Sequence, residues 1–126
     1  MSDVDKIPYV VTGSRIQVNV VTLDTYVEQN RIKKVNLIKI DSEGLEFDIL
    51  LGAKRCIELL RPDFIQIEMN WHQLYRGHSL KDFTELLPNY SMFQLTPSGM
   101  MSRKADEPLS NLFLYSNFVF ARKALL

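Results

Sequence analysis

The sequence predicts an α/β fold, a mostly parallel sheet flanked by helices with its last strands antiparallel, on three observations. Residues 35–40 read V-N-L-I-K-I, a nearly continuous apolar run of the kind found in strands covered on both faces of a parallel sheet. Ile49, Leu50, Ala53, Cys56, Ile57 and Leu60 then recur at the spacing of one helical face. Residues 63–69 (D-F-I-Q-I-E-M), set off by Pro62, form a second apolar run. Strand, helix and strand joined this closely favour a right-handed crossover with parallel strands.

The elements follow in chain order. Residues 1–14 are mixed and contain Pro8 and Gly13, whereas 16–21 are β-branched and alternate with Gln17 and Asn19, the pattern of a first strand. Asp24 is a short acceptor before about two helical turns in 25–33, and caps that helix. Residues 35–40 are the central strand, ending at Asp41. The helix from 47 to 60 carries Cys56 on its buried stripe, where a thiol behaves as a small hydrophobe with its pKa raised. After the strand at 63–69, Ser79 caps a helix over 80–87 with Phe83, Leu86 and Leu87 inward and Pro88 beyond its end. Residues 92–96 and 113–120 read as the two final strands. Between them 97–111 is polar, with Gly99 and Pro108, and is longer than most hairpin loops, either a lid or a floppy segment.

Composition bounds the class. A chain of 126 residues, 46% apolar and 24% charged, is ordinary for one globular domain, taken here as 1–126. Cys56 is the only cysteine, so no internal disulfide forms and nothing points to an oxidising compartment. No signal-peptide core and no run of about 18 apolar residues occurs, which leads us to expect a cytoplasmic protein with no membrane partner. Fifteen basic residues balance fifteen acidic ones without a basic block, against a nucleic-acid partner.

In open parallel sheets ligands bind beyond the carboxyl ends of the strands. Asp41, Glu43 and Glu46 follow the first of the two apolar strands and Glu68 closes the second, so four carboxylates can converge at one edge. The helix dipole alone accounts for glutamates in a first helical turn, as at Glu43 and Glu46. Asp41 has no such account, and ligation, general-base chemistry and recognition of hydroxyl groups are all open to it. Gly44 permits a sharp bend or close approach of a ligand. Lys39, within an apolar strand, is expected to pair with one of the acids. Asn70 and His72 lie near the same rim, as does the indole of Trp71. His72 and His78 are six apart, not the i, i+4 spacing of helical zinc ligands, and no metal is expected. A metal-nuclease reading of the acids lacks the basic groove that phosphates need.

The motifs V-V-T-L-D (20–24), L-I-K-I-D-S-E-G-L-E (37–46), I-L-L-G-A (49–53) and R-P-D-F-I-Q-I-E (61–68), taken as a set, resemble the FkbM family of S-adenosylmethionine-dependent methyltransferases. The resemblance implies a doubly wound Rossmann-like domain of the class I methyltransferase type, of which this chain would be the C-terminal part. It implies methyl transfer to a hydroxyl of a sugar or natural product. Carried over by position, Asp41 and Glu68 are the candidate catalytic residues; Lys39, Glu43, Glu46, Asn70 and His72 would bind the acceptor, and Asp41 and Gly44 the cofactor. The chain departs from the family in lacking any G-x-G pattern. It would therefore be a fragment, or be completed by another polypeptide, or be a non-catalytic remnant that dimerises through the open edge of the strand at 35–40.

Overall fold

The computed structural model describes residues 16–112 and 114–126. The elements are α1 (Leu23–Gln29), β1 (Leu37–Ile40), α2 (Glu46–Leu51), α3 (Lys54–Leu60), β2 (Phe64–Met69), α4 (His72–Arg76), α5 (Leu80–Leu86), β3 (Tyr90–Thr96), β4 (Gly99–Ser102) and β5 (Ser116–Arg122), with 3-10 turns at Pro108–Ser110 and Lys123–Leu125. Five strands form one sheet in the order β1-β2-β5-β3-β4.

The expected α/β class holds, and so do the antiparallel last strands, but the sheet is not mostly parallel. Only β1 and β2 pair in parallel; β2 with β5, β5 with β3, and β3 with β4 are antiparallel. The reason lies in the last strand. β5 enters between β2 and β3 and runs against both, so β1, β2 and β3 share a direction while only two of them touch.

Alternate residues of the strands build one apolar face. Ile38 and Ile40, Ile65, Ile67 and Met69, Phe118 and Phe120, and Tyr90 and Met92 meet Leu50, Cys56, Leu80, Phe83 and Leu87 from α2, α3 and α5, the period-2 strand pattern against helical stripes. Full burial of side chains such as Phe83 or Ile67 is worth about 1.5–3 kcal/mol each. β1 departs from the two-faced burial its sequence suggests: Leu37 is 56% exposed and Lys39 points outward beside it. Its run reads as continuous because Leu37 is apolar without being buried.

Other boundaries moved for identifiable reasons. Residues 16–21 form no strand and have no pairing partner among the described residues, with Ile16, Val18, Val20 and Val21 exposed. The helix expected over 47–60 is two helices broken at Gly52 and Ala53, because the carbonyl of Gly52 accepts from the amide of Asp24 and so turns away from the helical ladder. Asp24 is not the cap of its own helix. Thr22 caps α1, while the Asp24 carboxylate accepts from the amides of Arg55 and Cys56 at 3.0 and 2.7 Å and caps α3. Ser79 begins α5 as expected, with the Asp82 carboxylate accepting from its amide and hydroxyl; these bonds hold the Asp82 carboxyl below its ordinary range. The loop 97–111 contains a hairpin strand and a 3-10 turn, which Gly99 at φ +132° permits. The final strand begins at Ser116; Phe113, where it was expected to start, lies outside the described residues, as does the segment 1–14.

Candidate functional site

The site is assembled where β1 and β2 end side by side, with Ile40 paired to Ile67. Asp41 follows β1 directly, Glu68 is the penultimate residue of β2, and the turn after Asp41 brings Glu43 between them. One carboxylate oxygen from each of Asp41, Glu43 and Glu68 lies within 4.8 Å of the others. Three acceptors so close can share hydroxyl donors or a cation, and they repel one another unless a donor intervenes.

The turn is built for this placement. Glu43 sits in the left-handed region at φ +53°, which a non-glycine residue adopts only when its surroundings enforce it. Gly44 follows at φ +103°, and a Cβ there would lie 2.8 Å from the Cβ of His72. The close approach that its missing side chain allows is thus made by α4. Glu46 is fully buried. Its carboxylate accepts from the amide and hydroxyl of Ser42, from the amide of Gly44 and from the side-chain amide of Gln73. Expected to bind the acceptor, Glu46 instead turns its carboxylate inward and holds the 42–44 turn to α4.

The remaining candidates gather at the same rim. Lys39 pairs with Asp41 at 2.9 Å, as its place in the strand suggested, and that hydrogen bond, then the Asp41 charge, pushes its ammonium up. Asn70, also fully buried, donates to Glu68 at 3.1 Å and to Glu43 at 3.4 Å, and its carbonyl oxygen takes the His72 amide at 2.9 Å. His72 Nδ1 is 3.0 Å from Glu43, off the line of a straight hydrogen bond, and Nε2 is enclosed with no hydrogen-bond partner among the described residues. His78 is elsewhere, stacked on Phe47 with ring centroids 4.2 Å apart. Cys56 lies far from this chemistry in the core; burial first, then the Asp24 charge, pushes its thiol up.

Sequence reasoning named the acids and placed the segment 70–73 at their rim, but missed the contacts by which its side chains hold them. Gln73 contacts Glu46 from a five-residue helix, α4, too short to carry a period. Tyr115, whose hydroxyl takes the Trp71 indole N–H at 3.4 Å, reaches the rim because β5 starts where β2 ends, Ser116 facing Met69. Only the strand order reveals that neighbour.

The acids lie at the tips of adjacent parallel strands, the end of an α/β sheet at which ligands bind where such sheets bind them. Residues 4–93 match the methyltransferase FkbM domain family, and the chain belongs to that family. It is also 29% identical over 86 residues to the 2-O-methyltransferase NoeI of Sinorhizobium fredii (strain NBRC 101917 / NGR234), a match covering 68% of this chain and 35% of that protein. The chain thus spans about a third of that relative's length. No solved structure matches it. Among the described residues no helix is long and apolar enough to cross a membrane.

Proposed function

We propose that this chain forms the acceptor side of an S-adenosylmethionine-dependent O-methyltransferase that methylates a hydroxyl of a sugar or natural product. The observation carrying the reading is the convergence of Asp41, Glu43 and Glu68 within 4.8 Å at the tips of two neighbouring parallel strands. Family membership supplies the reaction class. The parallel pair β1-β2, with β5 running against it, is what a partial Rossmann-like sheet would contribute.

The cofactor, when bound, supplies a methyl group already activated on a sulfonium. The donor set fits its charged end: carboxylates at the rim complement a sulfonium, and Asp41, exposed at the end of β1, is the residue to face it. Gly44 is a poorer fit, since the space its missing Cβ leaves is filled by His72. Asp41 or Glu68 orients the acceptor hydroxyl and takes its proton, Lys39 and Glu43 position the rest of the ligand around them, and the fully buried Asn70, with His72, braces Glu43 and Glu68 from behind. Most of the rate then comes from placing oxygen and methyl in line.

Two measurements test this. Calorimetric titration of the chain with S-adenosylmethionine should give a saturable heat. In the full-length protein carrying this sequence, at least one of Asp41→Asn and Glu68→Gln should lower methyl transfer about 100-fold or more, in keeping with loss of a general base; full activity in both would remove the acids from the mechanism.

A second reading has its own observation. The outer edge of β1 pairs with no strand among the described residues, beside exposed Leu37 and the exposed apolar residues of 16–21. A non-catalytic module would use that edge to pair with a second copy or a completing polypeptide. It predicts a dimer in light scattering and no heat with the cofactor.

A further inference from the structure

We propose that Trp71, flanked by Tyr75 and Tyr115, is a stacking subsite for a pyranose ring, placed so that the ring's hydroxyls fall on the Asp41, Glu43 and Glu68 carboxylates. This rests on the reading of that rim as the acceptor side of a methyltransferase.

The aromatic group and the acids are joined through Asn70 and His72. Trp71 lies between Asn70, which holds Glu43 and Glu68, and His72, whose imidazole is 3.0 Å from Glu43. The indole packs on that imidazole with centroids 4.1 Å apart and meets the Tyr75 ring edge-on at 5.4 Å. Tyr115 arrives from the start of β5 and accepts the indole N–H at 3.4 Å. Tyr75 and Tyr115 are 73% and 62% exposed, so these rings do not serve the core. Aromatic rings left open beside carboxylates at the strand ends are the kind of exposed patch that marks a binding face.

Hydrogen-bond chemistry then selects the occupant. The indole N–H is already used, so Trp71 offers a flat face and Tyr115 offers its own hydroxyl proton. Beside them stand three carboxylates, which accept and cannot donate. A ligand that fits both needs an apolar face and several donors along one edge. A pyranose has this form, with C–H bonds on a face and hydroxyls around the rim. An acyclic polyol has the donors without the face. A quaternary ammonium suits the aromatic ring and the acids by charge, but brings no hydroxyl donors to three acceptors.

Trp71 is the only tryptophan in the chain, so its emission reports this subsite alone. Titration with the methyl glycosides of glucose, galactose and rhamnose should give a saturable change for at least one of them at millimolar concentration, and sorbitol should give none. Tyr115→Ala should weaken the response about tenfold, the loss of one good aromatic contact. Trp71→Leu, its fold verified by circular dichroism, should abolish the glycoside-induced amide shifts in NMR. A flat response to all three glycosides overturns the subsite, as does saturation by tetramethylammonium in their place, or unchanged binding in both variants. Glycoside binding requires no methyl donor, so failure here and failure of the methyltransferase reading are separable. Methyl transfer with flat emission sinks the subsite alone; a glycoside response without methyl transfer sinks the enzyme alone.

Discussion

At the scale of single residues, the candidate site depends on side chains that never face a ligand. Glu46 and Asn70 are both fully buried, and together they fix the turn that presents Glu43 and the neighbour that braces Glu68. Gly44 is the position with least latitude. Its φ of +103° and the 2.8 Å separation from the His72 Cβ mean that an added methyl group is strained by backbone and neighbour at once. Gly44→Ala should cost about 2–3 kcal/mol in urea unfolding and move the amide resonances of Glu43 and His72 together. A stability within about 0.5 kcal/mol of wild type would show that the turn is not held as described.

At the scale of elements, one carboxylate decides where a helix begins. α3 has seven residues and no side-chain cap of its own, a length at which helices depend on tertiary contacts. Asp24, thirty-one residues upstream of Arg55, supplies the acceptor for its first amides. Asp24→Ala should therefore destabilise by about 1–2 kcal/mol, the ordinary worth of such a cap, and hydrogen exchange should quicken in α3. Exchange quickening in α1 alone would place the cap where the sequence first suggested it.

At the scale of the whole molecule, β1, β2 and β5 are joined by Asp63 at the end of the sheet opposite the acids. Its carboxylate takes the Asn36 amide at 2.8 Å and the Arg122 guanidinium at 2.6 Å, and these two bonds, Asn36 first, hold it below the usual carboxylate range. A carboxyl depressed in the folded state adds stability above its unfolded pKa and loses it as the pH falls through the folded value. Asp63→Asn should therefore be less stable than wild type at pH 7, and the gap should close on acidification below about pH 4. Urea midpoints at both pH values measure this; a gap that persists or widens in acid would rule out the carboxylate as its source.

The sequence by itself determined β1, the helical stretch after it with its buried stripe and Cys56, β2, α5 and the acids at the strand ends. These are local facts: periodicity records which side of an element faces the core, and a strand's last residues point to one end of the sheet whatever else surrounds it. It did not determine the order of the strands. That β5 inserts between β2 and β3, making the sheet mainly antiparallel and delivering Tyr115 to Trp71, depends on pairings between residues distant in the chain, from Gln94 with Phe118 to Phe64 with Ala121, which leave no local pattern. The same holds for Asp24, whose capping groups lie on another helix, and for Glu46, a surface residue by type that burial and four donors turn into a structural one. Hydrophobic period fixes what each segment becomes; only the packed sheet fixes which polar groups meet, because hydrogen-bond partners are chosen by proximity in space.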